Sequence, residues 1–131
     1  MSQSIWEDAE VFVIDSRASA LEDELQFPLS VFGDDAVKVA SSFYKIPIFL
    51  SSGVKAAIDG ATTESGSVSP VGVLHDMFFV ARYRNLPLNQ SKIKFEFKPG
   101  HGRPITVYAE VGPMDYNNPA PALTFFLPIE D

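Results

Sequence analysis

The stretch that most constrains this chain is Ser69–Arg84, which reads Ser-Pro-Val-Gly-Val-Leu-His-Asp-Met-Phe-Phe-Val-Ala-Arg-Tyr-Arg. Val71, Leu74, Phe78 and Ala81 recur at three- and four-residue steps, and Met77, Phe79 and Val80 widen the stripe. Ser69 suits an N-cap, and Pro70 falls at the first helical position, where proline is best tolerated. Arg82 and Arg84 place cations at the negative end of such a helix, and Pro87 blocks its continuation. A helix that is apolar around most of its circumference must be buried, so the rest of the chain has to build a core around this one.

Past that helix the period changes to two. In Lys92–Lys98, Ile93, Phe95 and Phe97 alternate with Lys92, Lys94, Glu96 and Lys98, the pattern of a strand buried on one face. Pro99–Pro104 (Pro-Gly-His-Gly-Arg-Pro) supplies turn residues, and Ile105–Val111 alternates again. Gly112–Pro121 reads as a longer loop, and Ala122–Leu127 as a third strand stopped by Pro128.

Before the helix the segments are short. Glu10–Asp15 reads as an edge strand or extended lead-in. Ser16 caps a short helix with Ala18, Leu21 and Leu25 on its inner side, and Leu25–Phe32 is extended or irregular around Pro28. Gly33–Asp35 opens a second helix, with Ala36, Val37, Ala40 and Phe43 on one face. Ile46–Leu50 carries Pro47, which points to a short or edge strand. Ser51 or Ser52 caps a third helix through Ile58 that Gly60 can terminate, and Ala61–Val68 reads as a loop. These segments predict a single α+β domain over residues 1–131. Short helices and one central buried helix pack on an antiparallel β-meander of about three strands, with residues 1–15 as an extended lead-in.

Charge is distributed unevenly. Of 17 acids and 10 bases, nine acids (Glu7, Asp8, Glu10, Asp15, Glu22, Asp23, Glu24, Asp34, Asp35) and one base, Arg17, fall in residues 1–35. The N-terminal quarter therefore holds essentially all of the net charge of −7. With no basic surplus to displace counterions, direct binding to nucleic acid is disfavoured. The functional reading of the imbalance is a docking surface for a protein partner with a basic surface, and the simpler one is a solvated face that aids solubility.

Familiar chemistries find few residues here. The absence of cysteine removes disulfides and thiolate metal sites and fits a reducing compartment. Two histidines, His75 and His101, lack any metal-binding spacing, so no metal and no cofactor are expected. No Gly-x-Ser-x-Gly elbow or Walker motif occurs, and the chain reads as a non-enzyme. The first residues lack a basic segment followed by an apolar run, and Met77–Ala81 is far too short to span a bilayer, so the expectation is a cytoplasmic protein without membrane contact. Asp76, a carboxylate within an apolar helix, must be paired, hydrogen-bonded or at the surface. With His75 and Arg103 it forms the polar set of any ligand site between the central helix and the sheet. His75 and Asp76 are adjacent, and helical neighbours point about 100° apart, which argues against a general-base pair.

Three blocks carry a resemblance. Ser16-Arg17-Ala18-Ser19-Ala20-Leu21-Glu22-Asp23, with Ile46-Pro47-Ile48 after it, is the first. Gly72–Phe78 is the second. Val111-Gly112-Pro113-Met114-Asp115 with Pro121–Asp131 is the third and most specific. Together they cover most of the chain from Ser16 onward, and they resemble a family of short bacterial proteins carried on plasmids, phages and other mobile elements, filed as a domain of unknown function. The chain departs from the family pattern at His75, Met77 and Phe78, where tryptophan and leucine are usual. It departs again after Asp23, where Glu24 replaces a usual glycine. The resemblance implies a mobile-element accessory protein and carries over no catalytic residue. Such genes sit among functions that protect the element from host restriction or CRISPR immunity, which associates the chain with inhibition of a host defence system.

Three functional readings follow. The first is a non-enzymatic binding protein acting through an acidic surface of Glu7, Asp8, Glu10, Glu22, Asp23 and Glu24. The second is a small enzyme or ligand-binding domain using His75, Asp76 and Arg103. The third is a self-associating homo-oligomer in which the basic stretch Lys92, Lys94, Lys98 and Arg103 meets the acidic segment of another copy.

Overall fold

In a computed structural model, which describes residues 16–65 and 68–131, four α-helices and six strands follow one another among the described residues. In chain order they are α1 (Arg17–Glu22), β1 (Gln26–Pro28), a 3₁₀ turn (Leu29–Phe32), α2 (Asp34–Ser41), β2 (Ile48–Ser51) and α3 (Ser52–Ser65). Then come α4 (Pro70–Tyr83), β3 (Leu86–Pro87), β4 (Lys92–Phe97), β5 (Ile105–Asp115), β6 (Asn118–Phe126) and a second 3₁₀ turn (Pro128–Glu130). The lead-in expected over residues 1–15, with its strand at Glu10–Asp15, lies outside the described residues.

The central helix stands where its sequence puts it. Ser69 Oγ accepts the Gly72 N–H at 3.1 Å, Pro70 opens α4, and the Arg84 N–H closes its last turn on the Val80 carbonyl at 2.8 Å. Its Val73, Leu74, Met77, Phe78 and Ala81 are buried. They meet Ala36 and Ala40 of α2, Val54 and Ile58 of α3, and one face of the sheet. Phe78 packs among Phe125, Tyr44 and Phe43, with ring centroids 5.6, 6.0 and 6.0 Å away.

The sheet differs from a three-strand meander. Its six strands run in the order β1-β2-β6-β5-β4-β3, and the β2–β6 pair is parallel while the others are antiparallel. Pro47 does not push β2 to an edge, because it stands one residue ahead of the strand and offers its carbonyl to the Leu123 N–H at 2.8 Å. β1 closes the sheet outside β2, and its Pro28 tolerates that edge position.

Two further expectations are corrected. Gly60 does not end α3, which continues to Ser65. A Cβ at Gly60 would meet only open space, and the buried Val54, Ile58 and Ala61 outweigh the helix cost of one glycine, about 1 kcal/mol. Nor is Gly112–Pro121 a loop. β5 and β6 continue as a hairpin to Asp115↔Asn118, turning on Tyr116 and Asn117 with a register shift between Pro113 and Asp115. Pro113 stands opposite Pro121, so one missing donor from each strand falls on the same rung.

Helix α1 lies on the other face of the sheet. Arg17 reaches Phe49 and Thr124, which alternate with the inward Leu50, Leu123 and Phe125. Against expectation, Ala18 and Leu25 are exposed rather than inward. No apolar stripe fastens this helix, and the polar contacts described next do so.

Candidate functional site

The outer face of the sheet seats two cations of the chain itself. The Arg17 guanidinium lies 4.2 Å over the Phe49 ring. Its Nε donates to the Met114 carbonyl at 2.6 Å, and one terminal nitrogen donates to Gln26 Oε1 at 2.7 Å and Thr124 Oγ1 at 3.1 Å. The second terminal nitrogen donates to the Pro113 carbonyl at 3.5 Å. Burial lowers the Arg17 pKa from its usual value, and the nearby Asp115 carboxylate partly opposes that shift. Asp115 in turn accepts the Arg17 and Ala18 N–H groups, each at 2.9 Å, at the start of α1. The backbone N–H of Ala18 is the main cause that holds the Asp115 carboxyl below its ordinary pKa.

The second cation is Lys92. Its Nζ donates to Asp131 Oδ2 at 2.7 Å and sits 4.9 Å from the centre of the Tyr108 ring and 5.5 Å from that of Phe126. That hydrogen bond raises the Lys92 pKa. The cation of Lys92 is thus engaged within the chain, while Lys94, Lys98 and Arg103 remain exposed.

Between these two cations runs a groove of about 660 Å³, with Thr124, Phe126 and Glu110 among its lining and Ala20, Leu25 and Gln26 on the α1 side. Glu130 and Asp131 line it from the C-terminal turn. Glu130 is already committed: its carboxylate accepts from Ser51 Oγ at 2.6 Å, Gly53 N–H at 2.9 Å and Leu127 N–H at 2.7 Å, capping the start of α3. Glu110, opposite Lys92 on one side and Thr124 on the other, is half-buried, makes no hydrogen bond among the described residues, and acts on the Lys92 cation through its charge. Next to Leu25, the acidic run Glu22, Asp23 and Glu24 is exposed and unpaired among the described residues. Glu24 has φ 58°, a left-handed backbone normally given to glycine. Glu7, Asp8 and Glu10 lie outside the described residues.

His75, Asp76 and Arg103 are not gathered between α4 and the sheet, where Phe78 and Phe125 fill the space. His75 and Asp76 stand on the solvent side of α4, with Nδ1 and Oδ1 3.6 Å apart and both side chains more than half exposed. The two side chains thus approach each other despite their adjacency, as an open surface pair. They share a shallow groove of about 390 Å³ with Ser69 and His101. Arg103 lines a neighbouring groove of about 720 Å³, and His101 borders both.

Among the described residues no group of three or more histidine, aspartate or glutamate side chains is placed to hold a metal ion. No described helix is long and apolar enough to cross a membrane. Comparison with protein-family models, with curated proteins and with solved structures gives no match.

The cation seats and Glu110 escaped the sequence reading. Arg17, the one base in an acidic quarter, was a usable signal for a committed guanidinium. Glu110 had none, because its position beside Lys92 depends on strand register.

Proposed function

We propose that this chain is a non-enzymatic accessory binding protein of a plasmid or phage. It docks an acidic surface on a basic protein partner, such as a nucleic-acid-handling complex of host defence. The mobile-element origin rests on the resemblance of its three sequence blocks. The observation that carries the binding mode is the exposed run Glu22–Asp23–Glu24, unpaired among the described residues, standing beside the groove that contains Glu110. Carboxylates left without internal partners stabilise nothing in the fold, and their field favours encounter with a cationic surface. The left-handed backbone at Glu24 adds to this, since a side chain there carries a conformational cost that glycine would avoid.

The test replaces Glu22, Asp23 and Glu24 with Gln, Asn and Gln, keeping shape while removing three charges. Affinity purification from host cells identifies the partner, and association rates are then compared at two salt concentrations. The expected result is slower association and a shallower salt dependence in the variant. Equal rates and equal salt slopes would rule out the acidic surface as the contact.

A further inference from the structure

The exposed stripe of α4 consists of Gly72, His75, Asp76, Phe79, Arg82 and Tyr83. Large aromatic side chains seldom face water in adjacent pairs, yet Phe79 is 41% and Tyr83 65% exposed. Their rings meet at a 52° tilt with centroids 5.1 Å apart, and the Arg84 guanidinium stands 6.0 Å over Phe79. Leu86, just past the helix, is 56% exposed and extends the apolar surface. Arg84 has no carboxylate within ion-pair distance among the described residues, and Asp76 has only its neighbour His75, while Arg82 lies 5.9 Å over the Tyr44 ring on the other flank of the helix.

The order along this stripe is acid, aromatic, base. Reversed, that order complements itself. A second copy laid antiparallel places its Arg84 against Asp76 and its Asp76 against the first copy's Arg84, with the aromatic rings meeting in the middle. A parallel copy would set like charges against each other. Two-fold contacts are self-complementary in this way: what residue i offers to j, j offers back to i.

We propose that the exposed face of α4 is a two-fold interface between two copies of this chain. The helices pack antiparallel, with Phe79 and Tyr83 at the centre and Asp76 of each copy facing Arg84 of the other; Arg82, on the opposite flank of the helix from Asp76, stays over the Tyr44 ring. An aromatic pair flanked by arginine is the composition of an interface centre, and the ion pairs at the two ends set the orientation. This face lies on the opposite side of the sheet from Glu22–Glu24, so the dimer leaves the acidic run accessible.

Sedimentation velocity from about 1 to 500 µM protein tests the proposal, the range in which a contact of one helix face associates. The wild type dimerises, and Phe79→Ser weakens the dimer at least about thirtyfold. Asp76→Arg alone and Arg84→Glu alone are each monomeric, because like charges then meet. Mixed in equal amounts, those two variants form a heterodimer, since each Asp76–Arg84 contact is again a pair of opposite charges. Far-UV circular dichroism checks that each variant is folded, which is expected because all three positions are exposed. A wild type that stays monomeric to about 500 µM overturns the proposal. So does a dimer indifferent to these substitutions, one that the mixed variants fail to restore, or one lost when Glu22–Glu24 are neutralised instead.

Discussion

Asp115 and Arg17 hold each other twice. The carboxylate of Asp115 accepts the Arg17 N–H at 2.9 Å, while the guanidinium of Arg17 donates back to the carbonyl of Met114, the residue before Asp115, at 2.6 Å. A six-residue helix too short to persist by itself is thereby fixed to a hairpin nearly a hundred positions away in sequence.

This contact gives stability a particular pH dependence. The folded Asp115 pKa lies below its ordinary value, so its contribution is present above the usual carboxylate range. It disappears as pH falls through the depressed folded value. Asp115→Asn lowers stability at neutral pH, and the gap from wild type narrows as pH drops below about 4. Urea melts at several pH values measure the gap; one that stays constant down to strong acid contradicts the capping role.

Arg17→Lys keeps the charge and loses the fork. An ammonium cannot reach two carbonyls, Gln26 and Thr124 together, so the substitution destabilises by about 1.5–3 kcal/mol, nearer the lower figure because the site is half-exposed. A change below about 0.5 kcal/mol in urea unfolding would mean that solvent replaces those contacts without loss.

Glu24→Gly acts in the other direction. Glycine removes the left-handed strain but adds freedom to the unfolded chain, and the net gain is about 0.5–1 kcal/mol. A variant with a raised melting temperature and a slowed partner association would separate the stability of this corner from its use.

Phe78→Ala empties the middle of the core and costs about 3–5 kcal/mol. From α4 its ring touches Phe43 and Tyr44 of the segment after α2 and Phe125 of β6, so little can collapse into the space. A loss under about 1 kcal/mol would contradict the central position of α4.

The parts of the fold that the sequence disclosed are those whose signals are local. Ser69, Pro70 and the spacing of Leu74, Phe78 and Ala81 define α4 without reference to anything else. The alternation in Lys92–Phe97 shows a strand with one wet face. β2 is short, as Pro47 implies, but its interior place is not legible for the opposite reason: all four of its residues are buried, so no alternation marks it, and only the Pro47 carbonyl serving Leu123 shows a neighbour on that side. The Gly-Pro-Met-Asp-Tyr-Asn-Asn-Pro composition of the hairpin tip is that of a loop, and only pairing with the facing strand keeps it extended. The candidate site was legible as charge alone. That Glu22–Glu24 have no partners among the described residues is a fact of the folded chain, as is the placement of His75 and Asp76 on the surface of α4.

Strand β6 binds β2 on one side and β5 on the other, and no other described strand joins those two halves of the sheet. Until Ile48–Leu50 find Leu123–Phe125, some seventy-five residues further along, β1 and β2 share no ladder with β5, β4 and β3. Such a closure is entropically late and cannot be approached piecemeal, which places folding in the slow range set by distant contacts, on the order of milliseconds to seconds. During that interval the apolar edge of β2 is open to the same strand of any neighbouring chain, so refolding yield should fall as protein concentration rises.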